Sequence, residues 1–323
     1  MRDVAFVIYP DYSIMALSIV MAFEVANTVT ETPPYALHFI SETGGKIKTS
    51  CGMMLESKPF SSTPFHTLFV GGATIPTASP PGLIEYIRGA LALHRRIAAI
   101  STGAFVLAEA GLLDGRNATT HWMHAPLLQA QYPAVKLDQD CIFTNDGPIW
   151  TTAGGAAGLD LSLAMIESDL GVDVAKAVAR ELVIYHRRTG GQSQISTLLE
   201  LAPKSDRIQA ALTYARENLH RPLTVAELAE AAHLSPRQFS RAFLAETGQS
   251  PAKAIETLRV EGARDLMEQS RHPIEVVARQ TGFSDRDQMR RAFLRAFGQP
   301  PQVLRRMARL EARPHADAAE ALD

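Results

Sequence analysis

Cysteine is nearly absent. Cys51 and Cys141 are the only two in 323 residues. They stand far apart with no CxxC, and no His/Cys cluster has zinc-ligand spacing, so neither a disulfide framework nor a metal site is expected, and no cofactor is implied. Both are expected to be reduced, packed thiols. Long apolar runs are absent as well. No stretch reaches the 18 residues that a membrane-spanning helix needs, and the opening MRDVAFVIYPDYS carries too short an apolar run for a secretory signal. A cytoplasmic protein without membrane attachment is the expectation. Charge of one sign is also lacking: 32 Lys+Arg against 34 Asp+Glu leave a net −2, which excludes a uniformly basic protein that coats nucleic acid. With 46% hydrophobic and 20% charged residues, the chain reads as an ordinary globular protein with room for two domains.

What the chain does have is an internal repeat. Gln238 to Pro251 read QFSRAFLAETGQSP, and fifty residues later Gln288 to Pro301 read QMRRAFLRAFGQPP, with eight of fourteen positions identical. A short amphipathic helix precedes each copy, carried by Val225, Leu228, Ala229 and Ala232 in the first and by Ile274, Val277, Ala278 and Thr281 in the second. A tight break follows. In the first copy Ser235 is a good N-cap and Pro236 fits the first helical position. In the second, Gly282 suits a left-handed turn and Ser284 or Asp285 suits the N-cap. Helix, short turn and capped helix, twice over, make two helix-turn-helix motifs.

The second helix of each motif has two faces. Phe239 and Phe243, like Met289 and Phe293, stand four apart and point inward. That leaves Arg237, Ser240 and Arg241, or Asp287, Arg290 and Arg291, on the side a DNA groove would meet. Charge is segregated accordingly: residues 204–313 hold 19 Lys+Arg against 13 Asp+Glu, whereas residues 1–203 hold 13 against 18. The basic excess lies where phosphate contact needs it.

LSPRQFSRAF, TGQSPAKAI, LRVEGARDLM, IEVVARQTGFSD and RRAFLRAFGQPP resemble the AraC/XylS family of bacterial transcription regulators over about residues 205–308. Met289 stands where many members carry Phe. The resemblance implies an all-α DNA-binding domain that contacts double-stranded promoter DNA. By the same resemblance Arg237, Ser240, Arg241, Asp287, Gln288 and Arg291 match base-facing positions, and RNA polymerase is a partner.

From residue 1 to about 188, continuous apolar strands alternate with helices. Val4–Tyr9, Ala36–Ser41, Thr67–Val70, Ile97–Ile100 and Ile149–Thr152 read as strands; Ser13–Asn27, Pro81–Leu93, Gly103–Ala110 and Leu159–Leu170 read as helices. This argues for an α/β domain, a parallel sheet with helices on both faces. In such sheets ligands bind at the carboxyl ends of the strands. Three of those ends carry small or hydroxyl residues. They are Gly71-Gly72, the sharp turn Ser101-Thr102-Gly103, and Ala153-Gly154-Gly155, which opens a helix whose free N–H groups can hold an anion.

AISTGAFVLAEAGLLDGRNATTHW and IWTTAGGAAGLDLSLAMIE are similar to the class I glutamine amidotransferase-like superfamily of PfpI and ThiJ proteins, and more narrowly to the GlxA-like regulators that join that flavodoxin-like domain to an AraC-type reader. In the enzymes the elbow holds a nucleophilic cysteine, backed by an acidic residue of the first helix. Here the elbow holds Ser101, followed by Thr102 where proteases of the family have His, and the acidic position falls on Met21 or Ala22, with Glu24 one turn on. His121 is the nearest candidate base, and the alternative is a structural or ligand-contacting histidine.

The expected organisation is a sensing and dimerisation domain over residues 1–188, a linker over 189–204 with TGGQSQIS at its core, a DNA-binding domain over 205–311, and a disordered acidic tail over 312–323. The leading expectation is a homodimeric transcription factor, an activator answering to a small-molecule effector. Its pocket would be formed by Gly71, Gly72, Ser101, Thr102, His121 and Gly154, with no catalytic residue. The alternative is a Ser101-dependent amidase or hydrolase with an accessory DNA-binding part.

Overall fold

The computed structural model describes residues 1–185, 187–188, 190–195, 201 and 203–311. The expected tail, Ala312–Asp323, lies outside these, as do Thr189, 196–200 and 202 of the expected linker. The chain separates into two compact units, Met1–Gln194 and Ile195–Asp323.

The first unit is built from strands β1 (Arg2–Val7), β2 (Tyr35–Ser41), β3 (Thr43–Lys48), β4 (Met54–Pro59), β5 (Thr67–Val70), β6 (Ile97–Ile100), β7 (Asn117–Ala118), β8 (Lys136–Leu137), β9 (Phe143–Asp146) and β10 (Ile149–Thr152). Its helices are α1 (Ser18–Val29), α2 (Pro81–Arg88), α3 (Ala90–Leu93), α4 (Gly103–Glu109), α5 (Ala125–Gln131), α6 (Ala156–Leu170) and α7 (Val172–Glu181). The main sheet runs β3-β4-β2-β1-β5-β6-β10-β9. The strands from β4 to β10 pair in parallel, while β3 and β9 lie antiparallel at the two edges. The core order β2-β1-β5-β6-β10 is that of a flavodoxin-like sheet. The edge pair β3 and β4 shows no apolar run in sequence because both strands are mostly exposed.

Alternation along the strands divides the core. Val4, Phe6, Phe69, Ala98 and Ile100 face α1, α6 and α7, while Ala5, Val7, Leu68, Val70, Ile97 and Ala99 face α2 to α5. Phe6 stacks on Phe69 at 5.2 Å between ring centroids. From β1 the chain winds to β2 on one side and returns to β5 on the other, so a crevice opens above the carboxyl ends of β1 and β5. At the opposite end of the sheet Asp169, its side chain 1% exposed, pairs with Arg96 and accepts a hydrogen bond from Tyr35 Oη at 3.0 Å. Cys141 is buried as expected, but Cys51 is exposed in the turn between β3 and β4, where no core covers it.

The first unit extends past the expected boundary at residue 188. Ile142 N–H donates to Gln192 O at 2.9 Å and Gln194 N–H to Asp140 O at 2.7 Å, so this part of the expected linker runs along the sheet edge. At the far side Leu201 is fully buried in the second unit.

The second unit holds α8 (Asp206–Glu217), α9 (Val225–Ala231), α10 (Pro236–Thr247), α11 (Pro251–Gln269), α12 (Ile274–Gln280), α13 (Arg286–Phe297) and α14 (Pro301–Glu311). It has two separate cores. Phe239 and Phe243 pack with α8, α9 and the start of α11, and Met289 and Phe293 pack with α12 and the second half of α11. Ser235 and Gln238 form a capping box at α10. At α13 the cap is Asp285, whose carboxylate accepts from Gln288 N at 2.6 Å. Ser284 supports it from outside by donating to Asp285 Oδ2. Val225 does not join the inward face and is 38% exposed, which fits its place in the first turn of α9, beside the capping residue Thr224.

Candidate functional site

Helices α10 and α13 turn the same kind of face outward. Phe239 and Phe243 bury one side of α10, leaving Arg237 and Arg241 exposed and Ser240 half-buried; Met289 and Phe293 do the same for α13, leaving Asp287, Arg290 and Arg291 exposed. Among the described residues Arg237, Arg241, Arg290 and Arg291 enter no ion pair, whereas Arg286 pairs with Glu275 and Arg295 with Glu256. The protein's own carboxylates therefore occupy the arginines at the ends of α13 and leave these four side chains for an outside acceptor. Two expected contacts are partly committed elsewhere. Gln288 Oε1 accepts from Ser284 N–H at 2.7 Å, so only its amide N–H₂ remains for a base edge, and Ser240 Oγ donates to Pro236 O at 2.9 Å.

The crevice of the first unit encloses a cavity of about 270 Å³ at the ends of β5, β6 and β10. Ser101 sits at its apex with φ +53°, a left-handed conformation that costs a non-glycine residue about 1–2 kcal/mol. Neighbouring groups hold it there: Ser101 N–H donates to Thr152 O at 2.8 Å and Ser101 O accepts from Thr120 Oγ1 at 2.9 Å. Two flanking glycines are required by close approach. A Cβ on Gly154 would meet Ser101 Cβ at 2.5 Å, and one on Gly72 would meet Thr102 Oγ1 at 2.1 Å. Thr102 is fixed by donating to Ala73 O at 2.6 Å.

Of the six expected pocket residues, Gly72, Ser101, Thr102, His121 and Gly154 line this cavity and Gly71 does not. Gly71 lies behind the wall, where a side chain would strike the Tyr12 ring. No hydrogen bond joins His121 to Ser101 among the described residues. The His121 Nδ1 accepts from Met123 N–H at 3.3 Å, and burial, together with the neighbouring His124, lowers its pKa below 6.5. The part of the first helical stretch that lines the cavity is Ser13, Met15 and Ala16, not Met21 or Ala22: Met21 is 45% exposed and Ala22 is in the core. Glu24 is exposed. Among the described residues no Asp or Glu lines the cavity.

Among the lining residues not expected from sequence are Arg188 and Gln194. Arg188 Nε donates to Asp160 Oδ2 at 2.9 Å and its backbone N–H to Asp160 Oδ1 at 2.9 Å. Gln194 Nε2 donates to Thr120 O at 2.8 Å, and its Oε1 accepts from Trp122 N–H at 2.8 Å. Both come from the stretch after α7, far from the glycine turns in sequence. An Arg and a Gln in a polar stretch give no local signal of such a role.

Comparison with known proteins accounts for both units. Residues 228–307 match the helix-turn-helix domain family and residues 20–168 the DJ-1/PfpI family. The HTH-type transcriptional regulator GlxA of Rhizobium meliloti is 32% identical over 94% of this chain and 96% of its own length. The chain belongs to the GlxA-type HTH transcriptional regulators. The regulator is a DNA-binding protein, with the DJ-1/PfpI fold in its first unit. A crystal structure of an AraC family transcriptional regulator from Pseudomonas putida covers 56% of the chain at TM-score 0.52 and 20% identity, a likeness of fold. The isonitrile hydratase of Pseudomonas putida is 27% identical over 56% of the chain, so the DJ-1/PfpI fold also carries enzymes, while relatives that match nearly the whole chain, GlxA of Rhizobium meliloti and CdhR of Pseudomonas aeruginosa among them, are regulators. Among the described residues no helix is long and apolar enough to cross a membrane.

Proposed function

We propose that the regulator reads DNA with α10 and α13 and responds to a small molecule held in the cavity at Ser101. The observation that carries the first half is the pair of outward faces whose four arginines are left unpaired by the protein's own carboxylates. Helix α11 joins the two readers. Its 19 residues span about 28 Å at about 1.5 Å per residue, close to the spacing of successive major-groove turns. One chain is expected to cover two half-sites. Once binding sites are mapped across the source genome, Arg241→Ala and Arg291→Ala are expected to cost about 1–3 kcal/mol on a mapped site and less on random DNA. Equal losses on both would make the arginines phosphate clamps and remove them as readers.

The cavity is proposed to bind without turnover. A serine hydroxyl needs a base in hydrogen-bond reach, and support for a binding role comes from the His121 ring being turned to the backbone of Met123 and from a lining that, among the described residues, holds no carboxylate. Mass spectrometry of an inducer incubated with purified protein tests this. Its recovery unaltered is expected, and conversion abolished by Ser101→Ala would establish the hydrolase instead. The reading includes a homodimer formed through the first unit and acting in the cytoplasm, with RNA polymerase as the partner that the AraC/XylS resemblance implies; sedimentation of the purified chain with and without DNA checks the oligomer.

A further inference from the structure

The fifty-residue repeat gives each residue of α10 a counterpart in α13. Arg241 and Arg291 occupy the same place and are identical. Four residues earlier the copies disagree in charge, with Arg237 in α10 and Asp287 in α13. Each of these four side chains stands two residues from a fully buried one, Phe239 in α10 or Met289 in α13, which is about 200° around a helix of 3.6 residues per turn. All four are exposed. Arg237 and Arg241, like Asp287 and Arg291, therefore share one outward face a turn apart. Arg237 and Asp287 lie in the first turn, the part of a reading helix that meets base edges in the major groove. Holding the end of α13 does not need Asp287. The cap is Asp285, whose carboxylate accepts from Gln288 N–H at 2.6 Å. Asp287 meets Arg286 only at 3.9 Å, with the two side chains 69% and 62% exposed, and Arg286 also pairs with Glu275 at 3.4 Å. A solvated pair of that kind contributes little and yields readily to a base.

We infer that Asp287 makes the two half-sites unequal, selecting cytosine at the place where Arg237 selects guanine. The inference rests on α10 and α13 being the DNA readers. A guanidinium group only donates, and guanine offers it two acceptors side by side, O6 and N7. A carboxylate only accepts. In the major groove guanine and thymine turn acceptors toward it, and adenine sets its N6 amino group beside the N7 acceptor. Cytosine presents the N4 amino group with no acceptor next to it on the same base, so it is the base that a carboxylate fits. On any other base the carboxylate lies near phosphates with its repulsion uncompensated, so Asp287 acts more by rejecting wrong sequences than by adding affinity. Arg241 and Arg291, being identical, call for the same guanine in each half-site, and that guanine aligns the two. At the adjacent contact the base pair is inverted between them, guanine facing Arg237 and cytosine facing Asp287.

Selection by the full chain from a pool of double-stranded DNA, randomised over about 30 base pairs or nearly three helical turns, tests the assignment. Enriched sequences are expected to hold two half-sites about 10 base pairs apart, with a shared guanine and one position that is guanine in the first and cytosine in the second. Arg237→Ala and Asp287→Ala tell which reader serves which half-site, since each blurs one position. Asp287→Arg places at this position the residue that α10 carries natively. It is expected to turn the selected cytosine into guanine, and Asp287→Asn to turn it into adenine, which a side-chain amide fits. On a selected duplex, exchanging that cytosine for guanine is expected to weaken the wild-type chain about tenfold or more and to strengthen Asp287→Arg by a like factor. Half-sites that agree at this position, or the same selected sequence for Asp287→Arg as for the wild type, overturn the assignment. Arg291→Ala tells that failure from failure of the reading beneath it. Loss of the guanine from the second half-site keeps α13 as a reader with Asp287 outside the contact, no change removes α13 from the readers, and a pool with no enriched sequence removes both helices.

Discussion

Gly282→Ala tests how the two helix-turn-helix motifs are joined. Gly282 has φ +81°, and a Cβ there would lie 1.8 Å from Leu219 O and 2.8 Å from Arg259 Nε. The obstacle is backbone from the turn after α8, held in place because Arg259 of α11 donates to Leu219 O at 3.2 Å and to Arg221 O at 2.7 Å. An alanine has to bear the left-handed conformation, about 1–2 kcal/mol, displace packed backbone, about 1–3 kcal/mol, and loosen a hydrogen bond worth about 1 kcal/mol. Together these reach about 3–6 kcal/mol, a large share of a domain's total of about 5–15 kcal/mol. Gly248, at the end of α10 with φ +74° and nothing within 4 Å of a Cβ, is the control and should lose only the conformational part. Both tryptophans, Trp122 and Trp150, lie in the first unit, so their fluorescence reports that unit while far-ultraviolet circular dichroism also follows the second. Gly282→Ala is expected to lower the second unit's Tm by more than about 12 °C and leave the fluorescence midpoint in place. Equal shifts in Gly282→Ala and Gly248→Ala would refute the docking of this turn on Leu219.

Phe293→Ala, which empties the core under α13, is expected to cost about 3–5 kcal/mol, read as lost helical signal together with lost DNA binding; unchanged thermal stability would mean that this face is not the inward one. Asp169→Asn leaves Arg96, 5% exposed, without its counter-charge, and is expected to destabilise the first unit by about 3–5 kcal/mol in urea titration. The pair Asp169→Leu/Arg96→Met should recover most of that, and a silent Asp169→Asn would contradict the buried pair. His94 accepts from Phe65 N–H at 3.1 Å, and burial pushes its pKa from 6.5 down to about 4. Between those values the unfolded chain binds a proton that the folded chain refuses, so stability falls as pH drops from about 6.5 toward 4 and is unaffected by this group above that window. His94→Gln should make the dependence shallower, measured as urea midpoints across that range, while His66, whose pKa burial also lowers to about 4, keeps part of it.

Much of the second unit could be read from the sequence because its determinants are local. The capping box of Ser235 and Gln238, the buried Phe239 and Phe243, and the fifty-residue repeat all act within a turn or two of helix. The alternation of apolar strands and helices likewise implied a parallel sheet, since a strand covered on both faces has to be apolar throughout. Even at the cavity, the glycine turns and Ser101 were visible because tight turns restrict residue type. Only the tertiary structure decided the features in which residues distant in sequence meet. Arg188 and Gln194 reach the cavity because the stretch after α7 returns along the sheet edge, and nothing local in that stretch announces it. Met15 and Ala16 line the cavity because the first helical stretch enters the crevice at its beginning. The exposed strands β3 and β4 carry no apolar signature, and Gly282 was readable as a turn residue but not as the point where one helix-turn-helix rests on the backbone of the other. Periodicity and capping are written in neighbouring residues; which distant side chain closes a pocket is fixed only when the sheet brings its strand ends together.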